Sequence, residues 1–384
     1  CLGGVSMEKI RFDDFIKLNR GFDLPDSQIE DGVYPVVAST NIKAHHSTYK
    51  VNGPMVVTGR SGSLGAVQYI EGKCWPLNTT LYVKDFKNNN PRYVYYFLKT
   101  MHLEQYNAGA GVPTLNQNHL HSLKINVHEK EDQRRIASIL SAYDNLIENN
   151  NKRIRLLEQM AENLYKEWFV RFRFPGHETV EMENGLPKGW KYYLIRNLCE
   201  INKKTISSKN KSVLIHYLDT SSITDNCITG YEDYILEDAP SRARRMVKHN
   251  SIVFSTVRPN LRHLGIIKNP EDNTIVSTGF AVFDCKCQIA NIIYRYLASP
   301  EIVNYCQSIA EGAVATYPSI KPEEIGRLKI ALPPLNIAQQ LNNKLEVLNN
   351  QQNKLLRQND NLTRQRDLLL PRLMSGKLEV KVEE

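Results

Sequence analysis

The sequence predicts an α+β chain: two mixed α/β domains separated by two long helices paired as an antiparallel coiled coil, built as an internal pseudo-two-fold repeat. Three observations predict it. A short pattern is written twice, as LKINVHEKEDQRRIASIL at 123–140 and LKIALPPLNIAQQLNNKL at 328–345, a constant offset of 205 residues. Leu123 matches Leu328, Lys124 Lys329, Ile125 Ile330, Ile136 Leu341 and Leu140 Leu345. Behind each copy runs an unbroken heptad pattern, and ahead of each lie short β-rich runs.

Composition bounds the reading. At 384 residues the chain exceeds what one core usually serves, so at least two domains are expected. Lys and Arg total 49 against 41 Asp and Glu, a formal +8, which suits a folded protein with a local basic face for a polyanion. Seven cysteines at irregular spacing, without a CxxC pair, indicate neither a disulfide framework nor a zinc cluster and favour a reducing cytoplasm. No run approaches eighteen apolar residues and no charged-then-apolar signal opens the chain, so neither a membrane span nor export is expected. The six residues before Met7 read as upstream sequence and stay outside the fold argument.

The first domain is assigned to 7–125. GPMVVTG, LGAVQYI and TTLYVKD are strand-like, RYVYYFLKTM is helix-like, and Gly, Pro and Asn punctuate them, which predicts twisted and largely antiparallel sheet. GRSGSLG at 59–65 lies between strands and does not open a helix, so it reads as a tight turn that presents Arg60. The first long helix is assigned to 130–175. From Ile136 the 4,3 spacing carries Leu140, Tyr143, Ile147, Asn150, Ile154, Leu157, Ala161, Leu164 and Trp168, and Pro175-Gly176 is expected to close it. Trp168, Phe169 and Phe172 are assigned to packing at the junction of helix and domain.

The second domain is assigned to 188–330, with strand-like SIVFSTV, HLGIIKN and TGFAVFD and a helix-like NIIYRYLASPEIVNYCQ. Residues 241–270 hold Arg242, Arg244, Arg245, Lys248, Arg258, Arg262 and Lys268, with His249 and His263, and no acidic residue. That run reads as a phosphate-tracking surface with one or two arginines reaching guanine edges; the bland alternative is an exposed loop with chance clustering. Aligning VVTGRSGSLG with FSTVRPNLRHLG equates Thr58 with Thr256 and Arg60 with Arg258, and NTTLYV matches STGFAV. The corresponding region of the first domain is quieter, with Lys43, His45, His46, Lys50 and Arg60. The DNA-contact candidates are therefore Lys43, Thr58, Arg60, Arg242, Arg244, Arg245, Lys248, Thr256, Arg258 and Arg262. Thr316 and Tyr317 lie on a loop ahead of the repeated strand, facing either DNA or a protein partner.

The second long helix is assigned to 335–372 and ends at Pro371, followed by a tail, 373–384. Its spacing carries Leu341, Leu345, Leu348, Gln352, Leu355, Asn359, Leu362, Arg366 and Leu369. The pairing core expected between the helices is Leu140, Ile147, Ile154, Leu157 and Leu164 against Leu345, Leu348, Leu355, Leu362 and Leu369. Asn150, Gln352, Asn359 and Arg366 would set register at some cost in stability. About 35 residues at ~1.5 Å each would make a spacer of roughly 50 Å.

The heptad helix running into LYKEWFVRFRFPG (164–176), GLPKGW (185–190) opening a second domain, and the LKI strand leading into PPLNIAQQL (333–341) resemble the DNA-specificity subunit of type I restriction-modification systems. The resemblance covers nearly the whole chain from Met7. It implies two target-recognition domains, each reading one half of an asymmetric, split double-stranded DNA sequence, with the paired helices docking two methyltransferase subunits. It further implies that restriction/translocase subunits join through the methyltransferase core, and that S-adenosylmethionine, ATP and Mg belong to the partner subunits, with no cofactor or metal in this chain. Two departures concern how each helix starts: the first copy has NVHEKEDQ where the family usually carries a Pro-Pro turn, and the second has Ile337-Ala338 in place of Glu-Gln.

No catalytic residue is assigned. The one Pro-Pro, in ALPPLN, lacks the polar and aromatic neighbours an adenine methyltransferase needs, and no GxxxxGK[ST] loop is present. Pro25-Asp26 with Asp85 to Lys87 imitates a metal-dependent nuclease motif without further support. Two alternatives remain: a coiled-coil interaction scaffold that does not bind DNA, and the specificity chain of a related restriction enzyme with a fused catalytic partner.

Overall fold

The computed structural model describes residues 7–207, 212–313 and 318–380. The chain divides into two compact units, one made of the described residues up to Asn150 together with those from Gln358 onward, the other of Asn151–Arg357. Both long helices therefore contribute a segment to each unit.

In the first unit, Lys17–Arg20, Thr80–Asp85, Met55–Gly59 and Val67–Ile70 lie side by side in that order as an antiparallel sheet. Met55–Gly59 is buried along its whole length, which is why it reads as a continuous apolar run rather than an alternating one. A smaller sheet orders Ile42–His46, Tyr34–Val37 and Trp75–Pro76, the last two parallel. Helix Pro91–Thr100 begins where Asn90 accepts from the Arg92 and Tyr93 amides and Pro91 supplies a preset first residue. It seats Tyr93, Tyr96 and Phe97 against Phe12 and Phe15.

The second unit repeats this plan. Cys199–Ile201, Phe280–Cys285, Ile252–Ser255 and Leu264–Ile266 form the same antiparallel order. Leu214–Leu218 runs parallel to Thr274–Ser277 beside Glu232–Ile235, and the far edge gains a strand, Ala243–Met246. The repeated LKI segment has one role in both units: Lys124–His128 pairs antiparallel with Met7–Arg11, and Lys329–Leu332 with Lys191–Leu194. One expectation changes. NIIYRYLASPEIVNYCQ is two helices, Ala290–Ala298 and Pro300–Ala313, because Pro300 donates no backbone hydrogen bond and begins a new helix.

The first long helix is Lys130–Tyr165 and the second Leu335–Met374. In the first unit they run antiparallel: Asp144 pairs with Arg366 at 2.6 Å, and Asn150 Nδ2 donates to Asn359 Oδ1 at 2.9 Å, so later residues of one meet earlier residues of the other. Ile136, Ala137 and Leu140 share a core with Leu370, Leu373 and Met374. In the second unit Gln352 Nε2 donates to Glu158 at 2.9 Å, while Ala161, Tyr165 and Trp168 share a core with Ala338, Leu341 and Leu345. Of the pairing residues named from sequence, Leu140, Leu345 and Leu355 are buried and Ile147, Ile154, Leu157, Leu164, Leu348, Leu362 and Leu369 half-buried.

Both helix ends differ from expectation. The first leaves the α conformation at Tyr165, passes through a π turn over Lys166–Val170 and ends before Pro175. There Phe169, Phe172 and Phe174 gather within 5.2–5.6 Å of the Trp190 ring, and that aromatic cluster sets the end. The second runs past Pro371 by a turn. The proline removes one backbone donor, and burial of Leu370, Leu373 and Met374 holds the last turn until Gly376, with φ +70°, closes it. Among the described residues no helix is long and apolar enough to cross a membrane.

The Asn150–Asn359 bond in a coil seam carries a prediction. Replacing both by leucine removes a buried amide and its half-buried partner together and leaves the exposed Gln358, which Asn150 also reaches, to water. The first unit is therefore expected to gain about 1 kcal/mol, roughly 2–4 °C for a unit of this size, while losing its means of fixing register. A lower melting temperature in calorimetry would show that the amide pair stabilises outright.

Candidate nucleic-acid interface

The acid-free run 241–270 separates, once folded, into inward and outward cations. Arg245 turns in: its guanidinium donates to the Phe280 carbonyl and to Asn202, and burial lowers its pKa. Arg262 Nε meets Asp225 at 2.5 Å and its Nη2 donates to the Ala298 carbonyl at 3.0 Å. The Lys268 side chain is 1% exposed and ion-paired with Glu346 at 2.7 Å. Carboxylates distant in sequence thus neutralise part of a run that looks uncompensated on the page. Arg242, Lys248 and Arg258 are exposed and Arg244 is half-buried.

The edge strand explains why Arg244 and Arg245 part company. Pairing steps from Ala243 opposite Ser277 to Arg245 opposite Val276, which leaves Arg244 as the extra residue of a β-bulge. A bulge breaks the alternation of faces and re-aims a side chain. Lys43 occupies the same kind of position in the first unit, where pairing jumps from Val36–Ala44 to Val37–Ile42; its ammonium meets Asp26 at 2.5 Å.

The backbone also corrects the equivalence of the copies. The Arg60 amide donates to Thr79 O and its carbonyl accepts from Leu115; the Thr256 amide donates to Gly279 O and its carbonyl accepts from Ile320. Two residues on, the Gly62 amide donates to Pro113 O at 3.0 Å and the Arg258 amide to Pro318 O at 2.9 Å. Arg60 therefore corresponds to Thr256 and Gly62 to Arg258, a shift of two from the alignment by letter. In each unit two loops are laced together at the end of the central strand.

Thr58 is 1% exposed with its hydroxyl donating to Ala66 O at 2.9 Å, so burial takes it out of the contact surface. Thr256 is half-buried and its hydroxyl donates to Gly279 O; Arg60 Nε donates to Asn78 O at 3.1 Å. His46 is likewise buried, edge-on to Trp75. Thr316 and Tyr317 lie outside the described residues. Sequence reasoning passed over Lys203 and Lys204, which are exposed beside Ala243–Met246, where Ile206 N donates to Arg244 O and Met246 N to Lys204 O. Their adjacency in sequence was a signal, but forty residues of chain separate it from the cluster it joins. Lys286 is exposed near the same edge, lining a cavity with Lys248. Among the described residues no group of three or more His, Cys, Asp or Glu side chains is placed to hold a metal ion.

A family model described as type I restriction modification DNA specificity domain matches the chain twice, over residues 5–159 and 187–364. Two specificity subunits of Methanocaldococcus jannaschii type I restriction enzymes are each 25% identical to it. With the MjaIX subunit the match spans 348 residues, 86% of this chain and 78% of the relative; with the MjaVIII subunit it spans 410, 97% and 93%. The crystal structure of a type I restriction-modification system S subunit from M. genitalium shares the fold, with a TM-score of 0.67 at 15% identity over 99% of this chain and 98% of that one.

Proposed function

The chain belongs to the type I restriction modification DNA specificity family, and from that premise we propose that it reads an asymmetric, bipartite double-stranded DNA target, one half-site to each unit. The observation that carries this reading is the repetition of one plan, the same four-stranded sheet ending in a laced loop pair, with different side chains on the two loop pairs. Unlike side chains on like frames suit unlike half-sites. Arg242, Arg244 and Lys248, joined by Lys203, Lys204 and Lys286, supply phosphate contacts, and these position the protein without carrying sequence information.

The chain supplies recognition and leaves chemistry to its partners. Two methyltransferase subunits dock on it, restriction/translocase subunits join through them, and S-adenosylmethionine, ATP and Mg are bound there. Leu146, Leu156 and Met160, apolar and about half exposed on the first long helix, support a protein partner at that helix.

The test is selection from a random duplex library by the chain assembled with its methyltransferase subunit, followed by sequencing of the retained DNA. Two unlike motifs at a constant gap are expected. A single palindromic motif would contradict the asymmetric target, and an intact assembly that enriches nothing would favour a protein-only scaffold.

A further inference from the structure

We propose that the laced loop pair at the end of each central sheet is the base-reading element, and that Arg258 gives the second unit a guanine requirement that the first unit cannot share at the corresponding position. The proposal deepens the DNA-reading function and rests on it.

The first ground is rigidity at energetic cost. Arg258 and Arg262 both take the left-handed conformation, with φ +47° and +57°, on either side of the short turn Pro259–Leu261. Residues with a Cβ pay for that conformation, and such positions persist only where the surroundings over-determine them. Here they do. The Arg258 amide is held by Pro318 O, Pro259 is buried, the Asn260 amide donates to Gln307 at 3.1 Å, and Arg262 is anchored on Asp225 and Ala298 O. Arg262, half-buried, fastens the turn, and Arg258 is exposed on it.

The second ground is the company Arg258 keeps. Val257 and Leu261 are exposed on the same turn, 38% and 47%. A guanidinium fork flanked by apolar side chains matches the major-groove face of a guanine, whose O6 and N7 both accept, next to a thymine methyl. A loop serving only phosphate would have no use for the two apolar neighbours.

The third ground is what stands at the equivalent place. Opposite Val257 and Arg258 the first unit has Ser61 and Gly62, and Gly62, at φ +87°, meets no atom of the described residues within 4 Å of where a Cβ would stand. Its companion loop exposes Val112 at 59%. Arg60 does not stand at that position, because it corresponds to Thr256. Small hydroxyls and a bare backbone read bases by close approach, without a fork.

The experiment repeats the library selection with the assembled complex carrying Arg258→Ala, and separately Arg258→Lys, which keeps the charge and loses the bidentate fork. Wild type is expected to yield two motifs. Both variants are expected to lose a guanine at one position of one half-site, a drop in preference of roughly ten- to a hundredfold, with the other half-site unchanged. Recovery of the wild-type motif by both variants would overturn the assignment while leaving DNA reading intact. Absence of any motif from wild type would overturn the DNA-reading function and this assignment with it.

Discussion

Glu158→Ala is expected to destabilise the second unit by about 3–5 kcal/mol, far more than Arg295→Met, although the two mutations break the same ion pair. The difference lies in what is left behind. The Arg295 side chain is 5% exposed and Glu158 41%. Both terminal nitrogens of the Arg295 guanidinium, Nη1 and Nη2, bond to Glu158, Nη2 also reaches Asn349 Oδ1 at 3.2 Å, and Nε is buried with no hydrogen-bond partner among the described residues. Removing the carboxylate leaves a desolvated cation whose remaining hydrogen bond among the described residues is to Asn349. Removing the cation leaves a carboxylate that turns to solvent and still accepts from Gln352, a loss on the order of 1–2 kcal/mol. Burial by itself would raise the Glu158 pKa, but the bonds and charge of Arg295 outweigh it and hold it below its ordinary 4.5. A lowered carboxyl stabilises above its unfolded value and loses that contribution as pH falls through the folded one. The wild-type unfolding midpoint should therefore fall more steeply below about pH 4.5 than that of Glu158→Ala. Trp168 and Trp190 lie in this unit's core and Trp75 in the other's, so urea unfolding followed by fluorescence in a Trp75→Phe background isolates the transition. Equal losses for the two variants would show that the buried guanidinium finds another partner.

That pair also marks how far the sequence could be read. Heptads announce themselves because a 3.5-residue period survives any change of side chain that keeps it apolar, and the six strand-like runs are all strands. Arg295 lies inside a helix-like stretch with nothing nearby to reveal that Glu158, 137 residues earlier, is its partner. The loop equivalences were harder still. Matched backbone positions lie 196 residues apart at Arg60 and Thr256 but 205 apart at Leu115 and Ile320, because the intervening connections differ in length. Alignment by letter pairs Arg60 with Arg258, since two arginines look alike; hydrogen bonds pair Arg258 with a glycine. A sequence count of cations likewise cannot tell Arg244 from its neighbour, because a bulge separates them and a bulge leaves no periodic trace.

That bulge carries the other large effect. Replacing Arg242, Arg244 and Lys248 together by glutamine is expected to weaken DNA binding and to flatten its dependence on salt, whereas Arg245→Gln is expected to leave the salt slope alone. Each phosphate contact releases condensed counterions, and the slope of log affinity against log salt changes by roughly 0.9 per contact, nearly three if all three side chains touch phosphate. Arg242 and Lys248 are exposed and Arg244 is thrown out of alternation at a sheet edge, so each can reach a polyanion without unfolding anything. Arg245 instead ties the edge strand to Phe280 O and Asn202. Its loss should appear as a lower melting temperature of the second unit, because the buried Phe280 carbonyl loses that donor, while Asn202 keeps the Val282 amide. Measuring affinity for a fixed duplex across a salt series separates the two. If Arg245→Gln flattens the slope as much as the triple variant, its side chain faces DNA and the inward geometry does not describe the working protein. If the triple variant keeps the wild-type slope, the phosphate-tracking surface lies elsewhere in the chain.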